Sequence, residues 1–178
     1  MRLRVAVLAA TALVASALGQ AVEPVEDALS DLPRVRFPEP GRIVSGAIDA
    51  RHIEALKRAG IRHVVNLRPV EENPGFDEVK VVTEHGLRYH AIAIHGPQSL
   101  TKQNVEEFDR VLAEIDNEPA LIHCSSGNRV GAMIALREGW MRGASVQEAI
   151  ELGKRWGLGA LEAPVKALLQ ERKDAAKN

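Results

Sequence analysis

The sequence contains a single cysteine, Cys124, among its 178 residues. One thiol cannot form a disulfide within the chain, so the fold has to be stabilised by its apolar core. An isolated thiol outside the cytoplasm is prone to oxidation, so its presence predicts either deep burial or a chemical use. Paired cysteines and closely spaced histidines are missing as well, and we therefore expect neither a metal nor a cofactor.

Aromatic residues and an excess of basic charge are also missing. Only 3% of the residues are aromatic, and 23 Lys and Arg residues are set against 24 Asp and Glu residues. Nucleic-acid-binding proteins typically carry a basic surface, and single-strand binders add aromatic side chains for base stacking. Nucleic acid is therefore not an expected partner.

The sequence has no apolar run long enough for a membrane helix. After two arginines, an apolar stretch runs from Val5 to Leu18, which is shorter than the roughly 20 residues of a bilayer crossing. A basic start, a short apolar run and small residues after it predict a secretory signal over residues 1–21. We therefore expect an exported protein, periplasmic or secreted, with no stable membrane insertion after the signal is cleaved.

The rest of the chain predicts one α/β domain. Residues 22–40 form a polar lead-in segment, and strands alternate with helices across residues 41–178. The segments IVSG, IRHVVNL, RYHAIAI and PALIH have apolar centres typical of strands, and helical spacing marks the segments between them. This alternation predicts a central, mostly parallel sheet of about four or five strands flanked by helices. In such sheets, ligands bind at the carboxyl ends of the strands.

The segment HCSSGNRVGA begins at His123, where the strand PALIH ends and an apolar helix follows. Cys124 therefore falls near a helix N-terminus, where free N–H groups and the helix dipole favour an anionic sulfur and an incoming oxyanion. Gly127 lets the loop turn so that its backbone N–H groups point inward toward an oxyanion. The planar guanidinium of Arg129 can bind two oxygens of that oxyanion at once. The pattern predicts a nucleophilic cysteine in an oxyanion cradle. The structural alternative is a buried core cysteine.

These residues resemble the cysteine-dependent tyrosine and dual-specificity phosphatases, and most of all the bacterial beta-lactamase hydrolase-like family. The matching segments are IVSGAI, VVNLRPVEE, HGLRYHAIAI and HCSSGNRVGA, which lie between Arg42 and Trp156. The resemblance implies a single-domain protein tyrosine phosphatase-like fold over residues 41–178. It also implies that Cys124 is the catalytic nucleophile and Arg129 the phosphate clamp. The implied substrate-binding cradle consists of Ser125, Ser126, Gly127, Asn128 and Arg129.

Three positions differ from the pattern of these phosphatases. Four residues separate Cys124 from Arg129, whereas most tyrosine phosphatases have five, and rhodanese-type sulfurtransferases share the shorter turn. The aspartate that protonates the leaving group is absent from IHGPQSLT, where His95 is the candidate general acid and a surface histidine is the alternative. Val130 stands where a Ser or Thr usually assists departure of the thiolate.

Residues and resemblance together predict hydrolysis of phosphomonoesters through a cysteinyl-phosphate, with a phosphorylated protein or a small phosphoester as partner. Aryl phosphates such as phosphotyrosine fit best, because an acidic leaving group has the least need of a proton donor. Two alternatives stay open. They are a rhodanese-like sulfurtransferase with a persulfide on Cys124, and a catalytically weak oxyanion-binding module.

Other charged and polar residues are given structural roles. Arg68 ends the NLR segment, and we expect it to form an ion pair with Glu71 or Glu72 rather than to reach the ligand crevice. Ser145 and Glu148 have the spacing of a capping box, which predicts that a helix begins there.

Overall fold

The structure is a computed structural model that describes residues 25–72, 75 and 77–175. The predicted signal over residues 1–21 lies outside this range. The strands are β1 (Arg36–Glu39), β2 (Arg42–Ser45), β3 (His63–Asn66), β4 (Arg88–Ala91) and β5 (Ala120–His123). The α-helices are α1 (Val25–Ala28), α2 (Ala50–Arg58), α3 (Glu78–Glu84), α4 (Lys102–Ile115), α5 (Asn128–Met141), α6 (Val146–Arg155) and α7 (Glu162–Ala175). Within the described part of the chain, no helix combines the length and apolar character that a bilayer crossing requires.

The five strands form one sheet in the order β1-β2-β5-β3-β4. β1 is antiparallel to β2, and the other neighbours are parallel. The prediction of an α/β fold with a mostly parallel sheet is therefore confirmed. β1 lies inside the segment 22–40 that was predicted to be a polar lead-in. It joins the sheet because it forms a hairpin with β2, in which Arg36 pairs with Val44. The position of the domain boundary itself stays a prediction. Since β5 is the central strand, the loop that follows it lies in the middle of the carboxyl edge of the sheet.

Helices cover both faces of the sheet, and the central strand shows why. Successive residues of a strand point to opposite faces. Leu121 packs into one core with Ile53 and Leu56 of α2. Its neighbour Ile122 packs into the other core with Met133 of α5. All four residues of β5 are consequently buried. Its first three residues are apolar, as is typical of a parallel strand covered on both faces.

Side-chain caps set where the helices around the loop begin. Ser145 and Glu148 form the predicted capping box at the start of α6. The side chain of Asp77 accepts a hydrogen bond from Lys80 N over 3.0 Å, so α3 begins at Glu78. This cap places Glu78 in the first turn of α3, where Glu78 and Val82 are the buried side chains.

The position of α5 is fixed by a close approach of backbones. A Cβ atom on Gly131 would collide with the main chain of Leu158 and Gly153. Only glycine lets α5 lie this close to the end of α6. The first half of α5 is buried as predicted, over Val130, Gly131, Ala132, Met133, Ile134, Ala135 and Leu136.

Candidate active site

Cys124 follows β5 directly, and only 1% of the residue is exposed. Gly127 N–H donates a hydrogen bond to Cys124 Sγ over 3.1 Å. Gly127 has a φ of +84°, a left-handed conformation that glycine adopts without strain, and α5 begins with the next residue. The structure thus brings the sulfur to the N-terminal end of a 14-residue helix, where the dipole favours an anion. The nucleophilic role of Cys124 stays a prediction.

Arg129 lies in the first turn of α5, and its guanidinium is bound by the carboxylate of Glu72. Nη1 donates to Oε2 over 3.0 Å and Nη2 donates to Oε1 over 2.5 Å. Glu72 belongs to the short 3-10 turn Val70–Glu72 that follows β3. The side chain of Arg129 is 16% exposed, so its fork is held at the cradle and is not extended into solvent.

Glu72 binds a second group of the cradle. The hydroxyl of Ser125 donates to Glu72 Oε2 over 2.7 Å. The Arg129 guanidinium, and after it the Ser125 hydroxyl, hold the pKa of Glu72 below its usual range against the opposing effect of burial. Glu72 is therefore a carboxylate at neutral pH, and it occupies donors that an oxyanion in the cradle would use.

The expected pairing of Arg68 is found, and it is the weaker of the two contacts that Glu72 makes with arginines. Arg68 Nε lies 3.7 Å from Glu72 Oε2. The role of Glu72 at Arg129 was not predicted from the sequence. The available signal was the position of the two glutamates of VVNLRPVEE, just beyond the carboxyl end of a strand next to the cysteine strand, since such ends meet at one edge.

Asn128 and Ser126 tie the cysteine loop to neighbouring segments. Asn128 Oδ1 accepts hydrogen bonds from Gly159 N (2.8 Å) and Leu161 N (3.2 Å), so the side chain ties the loop to the segment before α7. Ser126 forms an isolated antiparallel bridge with Gly46. The substrate contacts of these two residues stay predictions.

His123 is adjacent to the cysteine in sequence, but its imidazole points to the other face of the sheet. Its Nε2 lies 2.7 Å from Oε1 of Glu78, and the two side chains are 0% and 2% exposed. The structure pairs His123 with Glu78 and not with the neighbouring Cys124 sulfur, because consecutive side chains of a strand alternate between faces.

Glu78 joins this histidine to a buried polar network. Its Oε2 accepts a hydrogen bond from Asn66 Nδ2 over 3.1 Å, and the same amide donates to the Tyr89 hydroxyl over 2.9 Å. Asn66 Oδ1 accepts from Arg68 N over 2.7 Å. Burial, and after it the Glu78 carboxylate, raises the pKa of Tyr89 to about 12, so the phenol stays protonated. The network fixes the loop after β3, which carries Glu72.

A groove of about 570 Å³ is lined in part by residues 68–71, which immediately precede Glu72. We call it the side groove. Its walls include Val70, Glu71, Asp77, Val79, Tyr89 and His95. His95 is exposed, and its backbone N–H donates to Ser99 Oγ over 3.2 Å. The structure thus brings the candidate general acid to the wall of the side groove, and its proton-donating role stays a prediction.

The residues described by the structure contain no group of three or more His, Cys, Asp or Glu side chains arranged to hold a metal ion. The expectation of a metal-free and cofactor-free protein stays a prediction.

A parallel sheet with a cysteine loop at the carboxyl end of its central strand, closed by an arginine, places the chain in the tyrosine phosphatase-like class. The family described as PTP-SAK, Swiss Army Knife protein, DSP-PTPase phosphatase domain, matches residues 33–151. The chain belongs to this family. The match extends from before β1 into α6 and includes the whole cysteine loop.

Two curated relatives match part of the chain. The beta-lactamase hydrolase-like protein of Xylella fastidiosa is 32% identical over 99 residues, which are 53% of this chain and 22% of that protein. The inositol diphosphatase DSP2 of Oryza sativa is 31% identical over 124 residues, which are 64% of this chain and 58% of that protein. The chain therefore matches about a fifth of the first relative and little more than half of the second. The predicted likeness to the beta-lactamase hydrolase-like family is confirmed.

Solved structures show the same fold. A phosphatase-like DUF442 protein from Shewanella putrefaciens CN-32 superposes with a TM-score of 0.65 at 24% identity, over 82% of this chain and 95% of that one. TpbA of P. aeruginosa, solved with phosphotyrosine, superposes with a TM-score of 0.54 at 17% identity, over 75% of this chain and 81% of that one. The tyrosine phosphatase-like fold predicted from the sequence is confirmed.

Proposed function

We propose that this protein is an exported, cysteine-dependent phosphatase that hydrolyses aryl phosphate monoesters, with phosphotyrosine as the representative substrate. The observation that carries the proposal is the contact of Gly127 N–H with Cys124 Sγ at the N-terminus of α5. The sulfur therefore meets a main-chain donor and a helix N-terminus, which together suit a nucleophile that carries negative charge when it is displaced from phosphorus. The phosphatase family and the phosphotyrosine bound to TpbA support the substrate class.

In the first step, the Cys124 thiolate attacks phosphorus. The S–P bond forms as the P–O bond to the leaving group breaks, and the leaving oxygen takes away the electron pair. Arg129 and the loop amides bind the three remaining oxygens, over which the negative charge is spread in the transition state. Because Glu72 occupies two nitrogens of Arg129, substrate binding requires the guanidinium to be shared with the phosphate or released by Glu72.

The leaving group departs either as a phenolate or with a proton from His95. His95 lies in the loop after β4 and lines the side groove. A phenolate is a good leaving group without protonation, whereas an alkoxide is not, and a positioned acid is worth roughly 10² to 10⁴ in rate. Aryl esters are therefore the preferred substrates on a scaffold whose general acid is a solvent-exposed histidine.

In the second step, water attacks the cysteinyl-phosphate. The new P–O bond forms as the S–P bond breaks, the sulfur leaves as a thiolate, and the water proton passes to solvent or to a base. Val130 provides no hydroxyl to stabilise that thiolate, so the Gly127 N–H is the donor that assists its departure. We expect hydrolysis of the intermediate to be slow.

The proposal is tested by comparing p-nitrophenyl phosphate with thiosulfate plus cyanide as substrates for the wild type and for Cys124→Ser. We expect slow release of p-nitrophenol that the substitution abolishes. Sulfur transfer to cyanide, with a persulfide on Cys124, would establish the sulfurtransferase alternative instead. Phosphate binding without turnover of either substrate would establish the oxyanion-binding module.

Export is proposed from the sequence of residues 1–21 alone. We expect the protein expressed with its own leader to appear in the periplasm or the medium, shortened at its N-terminus. Full-length protein in the cytoplasm of intact cells would refute export and would leave the proposed chemistry unaffected.

A further inference from the structure

We propose that the side groove binds a peptide segment in which a lysine or arginine flanks the phosphorylated tyrosine. The inference rests on the proposed function and names the substrate class of that site. It gives the protein a preference among phosphotyrosine sequences, which the cradle alone cannot provide because every substrate presents the same phosphate to it.

The side groove lies where the leaving group has to extend. Two of its wall residues, Arg68 and Glu71, flank Glu72, whose carboxylate binds Ser125 and Arg129 of the cradle. The candidate proton donor, His95, forms part of the same wall. A leaving oxygen within reach of His95 therefore carries the rest of its molecule into this groove.

The groove has an exposed apolar part and is larger than a phosphate group requires. Val70 is 78% exposed and Val79 is 51% exposed, and both lie in its wall. These two side chains give the wall apolar surface that a substrate side chain can cover. A volume of about 570 Å³ falls within the roughly 300–1,000 Å³ range of sites that enclose drug-sized ligands. An aromatic ring and an adjoining residue fit this space.

The rim of the groove carries negative charge that the protein itself does not neutralise. Glu71 and Asp77 are exposed, and neither forms an ion pair with any other residue that the structure describes. Glu72 differs, because Arg129 binds it. These two carboxylates, of which Asp77 also caps α3, attract a cationic side chain of the substrate and repel an anionic one. The same rim disfavours inositol polyphosphates, whose leaving groups carry several negative charges.

The test uses three phosphotyrosine peptides that differ only in the residues on both sides of the tyrosine, which are lysine, alanine or glutamate. At low salt, we expect kcat/KM for the lysine-flanked peptide to exceed that for the glutamate-flanked peptide by about tenfold, as two exposed charge pairs provide. The ratio falls as salt is added.

Two double variants locate the cause of the preference. Glu71→Gln with Asp77→Asn removes both rim charges, and asparagine preserves the cap of α3, so we expect the ratio to fall to roughly one. Glu171→Gln with Asp174→Asn removes the same charge from exposed positions on α7. In this control, we expect the preference for the lysine-flanked peptide to persist.

Equal kcat/KM for the lysine- and glutamate-flanked peptides in the wild type would overturn the inference. An unchanged ratio after the rim charges are removed, or faster turnover of an inositol polyphosphate than of the lysine-flanked peptide, would do the same. Turnover of p-nitrophenyl phosphate distinguishes a failure of the peptide preference from a failure of the proposed phosphatase function. If it is hydrolysed and no peptide preference appears, the inference alone falls, whereas no turnover of any phosphoester removes the proposed function and the inference with it.

Discussion

At the scale of single residues, the carboxylate of Glu72 has the largest effect on the candidate site. The Arg129 fork and the Ser125 hydroxyl all donate to it. These are donors that a bound phosphate would use. Glu72 therefore orients Arg129 in the absence of substrate and also places one negative charge beside the position of a phosphate dianion. The second effect is electrostatic repulsion, and it opposes binding.

Glu72→Gln removes that charge and keeps the shape of the side chain. We expect inorganic phosphate to bind the variant about tenfold more tightly, because repulsion between a carboxylate and a neighbouring dianion at the protein surface is worth at least about 1.4 kcal/mol. Isothermal calorimetry with inorganic phosphate measures the affinity without relying on turnover.

Asp109→Asn is the matched control for this prediction. Asp109 binds Arg137, another arginine of α5, through a 2.6 Å contact to Nε. Removing this charge weakens the pairing of an arginine on the same helix but away from the cradle, where Glu138 still binds it, and we expect no change in phosphate affinity. Weaker phosphate binding by Glu72→Gln would contradict the prediction and show that holding Arg129 in place outweighs the repulsion.

At the scale of secondary-structure elements, β3 and β4 carry a histidine pair away from the cradle. His63 Nδ1 lies 2.9 Å from His90 Nε2, and the rings are stacked with centroids 5.2 Å apart. His63 Nε2 contacts the carboxylate of Glu118 over 3.1 Å. Burial lowers the pKa of His90, the charges of His63 and Arg88 lower it further, and Glu114 opposes them.

This pair makes the stability of the fold depend on pH in a definite direction. Because the pKa of His90 is lower in the folded than in the unfolded chain, the unfolded chain binds more protons as the pH falls through about 6.5. The free energy of unfolding should therefore decrease from neutral toward mildly acidic pH. Urea titrations at pH 7.5 and 5.5 measure the change.

His90→Gln tests the assignment to this residue, because glutamine can still donate to His63 Nδ1 and does not titrate. We expect the variant to lose less stability between pH 7.5 and pH 5.5 than the wild type does. An identical loss in both proteins would show that other groups cause the pH dependence.

At the scale of the whole molecule, the features predicted from the sequence are those encoded in short segments. The apolar run of β5, the polar turn and the apolar helix after it placed Cys124 at the carboxyl edge of a parallel sheet, and the structure has them there. The capping box of Ser145 and Glu148 was predicted in the same way. In each case, the partners are neighbours in sequence, so the local pattern contains the information.

The features that were missed depend on contacts between distant segments. Glu78 looks like an ordinary acidic residue in the first turn of a helix, where such residues favour the dipole. Its burial against His123, 45 residues away in sequence, follows from how α3 packs on the sheet. The pairing of Glu72 with Arg129 spans 57 residues and depends on where the turn after β3 lies. No local pattern distinguishes these glutamates from solvent-exposed ones.

The lone cysteine leads to a prediction for the molecule as a whole. Stability should not depend on reductant, because one thiol forms no disulfide within the chain, whereas activity should depend on it, because Cys124 is the proposed nucleophile. We expect equal melting temperatures with and without dithiothreitol. We also expect hydrogen peroxide to inactivate the protein with the gain of one oxygen, dithiothreitol to restore activity, and inorganic phosphate in the cradle to slow the inactivation. Cys124→Ser should not gain that oxygen, and a lower melting temperature under reducing conditions would contradict the prediction.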